Sequence, residues 1–405
     1  MGILLIMKIL TITAFTPTPE NKGGISALIY HLIINRPQNI HIDLYSFNLN
    51  KIDKNEISDI EYGLDIKIHL LNQSKRIKFI YEHDWLHKIS LIFQKYPLWS
   101  YQNIPESLIE RIKDEHYDFV WLYPYFYFRV AELIPEQKFI VSGVDCISQV
   151  CIRRMANDYF LLSKKRFISN ICNLWHSINV ERHLGTNNIH MHYVGLEDMN
   201  FYKYTYNRDN AFFLLHPHYE TKNKSISFNA PKLRILIAGK NDFYMKSDVS
   251  RLIEILSATK DIRGFASFTF LGKGWEKTVK QLRSKGYECT HINWVENYID
   301  EIIKYDIQIS PIAVGSGTKG KVLDAFANGL LVIGSYNALE NICVRHNDSC
   351  LKYTHVSEIV QFIKNINNDR KHYEQIASKG RMQVRTYHSP ARIGKRFFEI
   401  ALNIK

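Results

Sequence analysis

Apolar positions recur along this chain with two periods. Ile3–Thr13 is apolar at almost every position, with Lys8 as the interruption, which predicts a strand buried on both faces of a parallel sheet. After Pro17, Pro19, Gly23 and Gly24, the stripe Ile25, Leu28, Ile29, Leu32 and Ile33 has the spacing of a helix with one buried face. Ile40–Phe47, Asp118–Tyr123 and Lys138–Gly143 read as further strands separated by helical stretches. The pattern breaks over a polar, aromatic-dotted stretch near 200–231 and then restarts. Leu233–Ala238, Ala266–Gly272, Cys289–Ile292, Ile307–Ile312 and Leu330–Gly334 read as strands, and Asp248–Ser257, Trp275–Lys285, Tyr298–Lys304 and Lys321–Asn328 as the helices between them. Strands alternating with helices mean βαβ units. The expected fold is α/β, with two Rossmann-like domains of similar size facing across a cleft. Ligands of such sheets bind beyond the carboxyl ends of the strands.

The 405 residues suit two domains, and a 46% hydrophobic composition excludes disorder as the main state. The six cysteines form no CxxC pair and no zinc-finger cluster, so they read as reduced thiols of a cytoplasmic protein, with no metal site. The opening apolar run lacks a basic flank and a small-residue cleavage site, and reads as a strand rather than a signal peptide. No run is long enough to span a membrane. The net charge is +12, and residues 201–405 carry all of it, with 31 bases against 19 acids. An anionic partner of the second half is therefore expected.

One segment concentrates candidate chemistry. Gly315-Ser316-Gly317-Thr318-Lys319-Gly320-Lys321 follows a strand and opens a helix, an arrangement that turns backbone N–H groups and the helix dipole toward a phosphate. It matches seven positions of a P-loop. The eighth, where a hydroxyl would hold Mg²⁺, is Val322, and the next strand offers no acid for a Walker-B role. A plain tight turn leaves two lysines and three glycines unexplained.

The longer run Pro311, Gly315, Ser316, Gly317, Lys319, Lys321, Asp324, Ala325, Ala327, Gly329, Val332 and Ile333 resembles the donor-binding signature of retaining GT-B glycosyltransferases of the large group-1 family. Asp324 stands where that family has Glu, Leu331 where it has Pro, and Ser316 at the first acid of its EX7E pair. The resemblance covers most of the chain. It implies an acceptor-side domain over 1–205, closed by a helix within 386–405, and a nucleotide-sugar domain over 206–385. Asp324 is then the acid that bonds the nucleotide ribose. Gly239-Lys240 and Lys246 are similar to the family's pair of bases that clamp the diphosphate, together with the amides of Gly315–Thr318. Trp294, in His291-Ile-Asn-Trp-Val295, falls where the base lies; ordinary core is its other reading. Gly23-Gly24 matches the loop over which phosphate and acceptor approach. Asp145 stands in a segment whose family His is Val144, followed by Arg153 and Arg154; it reads as a site residue or a helix cap. The resemblance implies a nucleotide-diphosphate sugar as donor substrate, no further cofactor, and a glycan or lipid-linked acceptor in bacterial surface-polysaccharide synthesis.

Other constellations are weaker. His83 and His87 would share one helix face as zinc ligands do, but no third ligand is indicated. There is no GxSxG elbow and no GxGxxG after the first strand. Arg76–Trp99 is rich in aromatics and bases, which suits peripheral contact with an anionic membrane. The neutral balance of residues 1–200 favours instead a core helix pair with snorkelling lysines. No nucleic-acid module is present. A non-catalytic GT-B-like partner protein and a P-loop-like NTPase stay open as other readings.

Overall fold

A computed structural model describes residues 6–22, 25–157, 164–186 and 188–404. The chain divides into two units. The first comprises residues 1–152, 164–219 and 390–405, the second 153–163 and 220–389.

The first unit holds a seven-stranded, wholly parallel sheet. Its strands are β1 (Met7–Thr13), β2 (Ile40–Ser46), β3 (Lys67–Leu70), β4 (Phe119–Tyr123), β5 (Phe139–Ser142), β6 (Ile189–Tyr193) and β7 (Ala211–Phe213), in the order β3-β2-β1-β4-β5-β6-β7. The central strands are the continuous apolar runs seen in the sequence. β4, Phe-Val-Trp-Leu-Tyr, is buried at every position because helices cover both of its faces. The Ser26–Ile34 helix buries the predicted stripe. Against it packs the last helix, Pro390–Asn403, at so short a distance that a Cβ on Gly394 would lie 2.6 Å from the Asn35 Cβ. Phe397 of that helix meets Trp121 of β4 with ring centroids 4.5 Å apart.

Strands β3, β6 and β7 are absent from the sequence reading. β3 and β7 are short and lie at the sheet edges, where little is buried. β6 is disguised by His190 and His192. His192 is a core residue, bonded through Nδ1 to the Ser142 hydroxyl at 3.0 Å and stacked on Phe212. Burial holds its imidazole neutral, with the pKa pushed down to about 3.

The second unit holds a six-stranded parallel sheet of β8 (Leu233–Ala238), β9 (Ala266–Leu271), β10 (Glu288–Ile292), β11 (Ile307–Ser310), β12 (Leu331–Gly334) and β13 (Leu351–Lys352), in the order β10-β9-β8-β11-β12-β13. Both sheets are doubly wound. In the second, the strand order reverses between β8 and β11, and the loops after those two strands are where such a sheet binds its ligand. Residues 220–231 are largely irregular. Arginines of the Arg370–Tyr387 helix bind the carbonyls of this stretch: Arg370 those of Phe228 (2.7 Å), Ala230 and Pro231, Arg381 that of Lys224 (2.6 Å), and Arg385 that of Lys222 (2.9 Å). Part of the basic excess of the second half therefore satisfies backbone acceptors that no sheet or helix would otherwise satisfy.

Two sequence expectations are corrected. His83 and His87 do not share a helix. His83, at φ −107 and ψ 100, is the break between the helices Lys75–Glu82 and Asp84–Phe93, and its carbonyl accepts from the His87 N–H. Those two helices are not a core pair either, since Ile77 and Ser90 are their only buried residues.

Candidate functional site

The loops after β8 and β11 are built into one another. Gly239, at φ +139, turns the chain sharply at the end of β8, a conformation open to glycine. Asp242 then starts the Lys246–Ala258 helix. Its side chain accepts from the Tyr244 N–H at 3.1 Å and its carbonyl from the Lys246 N–H at 2.9 Å. The Tyr244 carbonyl accepts from the N–H of Ala313 at 2.8 Å and of Val314 at 3.2 Å, in the loop after β11. The turn carrying Lys240 and Lys246 is thereby tied to the glycine loop at the point where the strand order reverses. Lys240 is exposed and Lys246 half-buried at the first position of its helix.

A third loop supports this turn from behind. The Gly239 carbonyl accepts from the Trp275 indole at 2.8 Å, and Asn241 bonds to the carbonyls of Lys273 and Gly274. Gly272, at φ +129, leaves no room for a side chain, because a Cβ there would stand 2.3 Å from the Gly239 oxygen. Gly272→Ala is therefore expected to push the Lys240 turn out of place and to cost about 1–3 kcal/mol of stability. Thermal melts check this, and a wild-type melting temperature would show that the turn yields freely.

In the loop after β11, Gly315 (φ +152) and Gly317 (φ +67) set the backbone path. Lys319 folds back, and its ammonium donates to the carbonyls of Ser316 (2.6 Å) and Gly317 (2.8 Å). Thr318 is half-buried. The Ser316 hydroxyl is buried and makes no hydrogen bond. Lys321, in the first turn of the Gly320–Ala327 helix, lies with its ammonium 5.4 Å from the Tyr298 ring centroid. One turn on, Asp324 is half-buried, and burial pushes its carboxyl up to about 7; Lys321 pulls it down, and the Glu220 carboxylate pushes it further up. The Tyr298 hydroxyl, also buried without a partner, is raised by burial and by Asp324. Tyr298 and Glu220 are missed by sequence reasoning, since both are remote in sequence from the glycine loop.

Trp294 is 74% exposed, which removes its reading as core and leaves a free indole face just beyond the end of β10. Val322 is buried among Leu323, Phe326 and Leu236, so the P-loop position that should reach a metal faces the core.

In the first unit, Gly23 and Gly24 lie outside the described residues. Flanking them on both sides, Thr18, Ser26 and the carbonyl of Glu20 form a tight hydroxyl network with Thr18–Ser26 at 2.6 Å. Asp145 is half-buried just before the Ile147–Met155 helix, whose last turn carries Arg153 and Arg154. At the start of that helix, Asp198 takes the Cys146 N–H at 2.8 Å and Glu181 takes the Ser148 N–H at 3.1 Å. Among the described residues, no group of three His, Cys, Asp or Glu side chains is placed to hold a metal ion, and no helix is long and apolar enough to cross a membrane.

This fold is GT-B, two parallel-sheet Rossmann-like domains. Solved structures similar to the chain include the Anabaena protein HepE in complex with UDP, at 11% identity and a TM-score of 0.65 over 98% of this chain and 100% of that one. Another is sucrose-phosphate synthase from Thermosynechococcus elongatus, at 12% identity and a TM-score of 0.63 over 97% and 98%. The lipopolysaccharide outer core galactosyltransferase WaaB is similar at 13% identity, with a TM-score of 0.56 over 98% and 99%. No family model and no curated protein matches the chain.

Proposed function

We propose that this protein is a retaining glycosyltransferase that moves a sugar from a nucleotide-diphosphate sugar to a glycan or lipid-linked acceptor, working in bacterial surface-polysaccharide synthesis and attached peripherally at the cytoplasmic face of the membrane. The observation that carries the reading is the joined pair of loops at the switch point of the second sheet, one carrying Lys240 and Lys246 and the other the Gly315–Thr318 backbone that leads into the helix of Asp324. Structures of this fold include a complex with UDP-glucose.

In this reading Asp324 accepts from the ribose and the Trp294 indole lies against the base. Lys240, Lys246 and the loop amides hold the diphosphate. The bond from the anomeric carbon to the phosphate oxygen breaks, and the two lysines stabilise the charge that grows on that oxygen. The acceptor hydroxyl, entering over Gly23-Gly24 and Asp145, forms its bond on the same face and passes its proton to the departing phosphate. Lysines neutralise the phosphates, so no metal is invoked.

Ser316 and Val144 favour a second reading, a GT-B-like protein that binds a nucleotide sugar without turning it over. A mass-spectrometric screen of nucleotide-sugar donors, run beside ATP, separates the two. Binding with release of the nucleotide diphosphate supports the enzyme, and binding with no release supports the partner protein. Hydrolysis of ATP alone would remove both.

A further inference from the structure

Three helices of the first unit expose apolar side chains that a soluble surface normally covers. On Asp84–Phe93, Trp85, Ile89 and Ile92 recur at the spacing of one helix face and are 62%, 46% and 62% exposed, and Phe93 beside them is 81% exposed. On the N-terminal half of Lys164–His183, Ile168, Ile171 and Trp175 repeat the same spacing at 60%, 44% and 55%. Phe79 and Tyr81 of Lys75–Glu82 add to them. The Asp84–Phe93 helix packs against each of the other two, so the exposed stripes lie on adjoining helices. Scattered exposed apolar residues are ordinary; two helices exposing matched stripes side by side are not.

The charge around this face identifies what covers it. Segments 75–95 and 164–175 contain eight bases and two acids, while the rest of residues 1–200 holds 13 bases and 19 acids. The neutral total of the first half conceals a basic face within an otherwise acidic half. Lys75, Arg76, Lys78, Lys88, Lys95 and Lys164 are all exposed. The two acids sit beside lysines of their own helices, Glu82 near Lys78 and Asp84 near Lys88. A second copy of the chain would bring the same positive face against itself, which opposes self-association.

We infer that this three-helix face docks on an anionic phospholipid bilayer, its tryptophans and isoleucines entering the headgroup boundary and its lysines and arginines meeting the lipid phosphates. This deepens the membrane contact of the proposed function. It needs neither the donor nor the glycine loop, so the two can fail separately.

The test is flotation of the full chain with vesicles of phosphatidylcholine alone and of phosphatidylcholine mixed with phosphatidylglycerol. Flotation with the mixed vesicles, weakened by added salt and accompanied by a blue shift of tryptophan emission, is the expected result. The variants Trp85→Ser/Ile89→Ser and Lys75→Glu/Arg76→Glu are each expected to lower that partitioning by at least about tenfold. Both should keep the wild-type far-ultraviolet circular dichroism and cooperative melt, which checks their folding without the donor. Absence of flotation, equal flotation of variants and wild type, or a concentration-dependent dimer abolished by the same variants would each overturn the assignment.

Discussion

Lys240→Ala and Lys246→Ala are each expected to lower turnover by about 10²–10³-fold while the protein stays folded. A nucleotide diphosphate leaves with negative charge building on the phosphate oxygen, and a fixed cation is worth most where that charge appears. Backbone sets where both lysines leave the chain: Lys240 by the Gly239 turn, Lys246 by the Asp242 hydrogen bonds that start its helix. Truncating either should leave the turn intact, so the loss should fall mainly in kcat. Lys319→Ala is the contrasting case. Its ammonium bonds to the carbonyls of Ser316 and Gly317, so its removal is expected to loosen the loop and lower the melting temperature as well. Single-turnover assays beside thermal melts distinguish the two kinds of loss. Wild-type turnover in both Lys240→Ala and Lys246→Ala would remove the clamp.

The central strands of both sheets were legible because burial on two faces demands unbroken apolar runs, as in Leu233–Ala238 and Phe119–Tyr123. What escaped were elements whose side chains answer to something other than burial. β3 and β7 lie at edges, β13 is two residues long, and β6 hides a core histidine in a polar letter. The glycine loop was legible from spacing, because its chemistry is local. Its surroundings were not. Gly272 matters only because the Gly239 carbonyl passes close to it, and Tyr298 and Glu220 only because the fold brings them to Lys321 and Asp324. The bases of 370–396 show no task in the sequence, because the carbonyls that Arg370, Arg381 and Arg385 bind, in 222–231, lie some 140 or more residues away in the chain. The Arg76–Trp99 helices were misread for a related reason. A charge averaged over 200 residues cancels a local excess, and the partner helix, Lys164–His183, lies some 70 residues further on.

With Asp324 on the donor ribose as proposed, donor binding is expected to depend on pH near neutrality. In the folded chain without ligand, burial and Glu220 raise its carboxyl to about 7, from 3.8 in the unfolded chain, against the pull of Lys321. Between those two values the folded state holds a proton that the unfolded state has lost. Stability of the ligand-free protein is therefore expected to fall as pH rises from about 4 to about 7, and to level off above. Donor binding runs the other way. A ribose hydroxyl is best accepted by the ionised carboxylate, so affinity for a nucleotide-diphosphate sugar should rise through pH 7. The sugar diester is the right probe, because a free nucleotide has a phosphate that titrates in the same range. Asp324→Asn removes the charge and keeps the shape. It is expected to flatten both pH profiles, to be more stable than wild type at pH 8, and to weaken the donor by about 10–100-fold there, the worth of one hydrogen bond to a charged group. Calorimetric titration at pH 6 and pH 8, with melts at the same values, reads all of these. If wild-type affinity is flat across that range while its stability falls, the proton on Asp324 is real but the ribose does not depend on it, and the assignment of Asp324 to the donor fails.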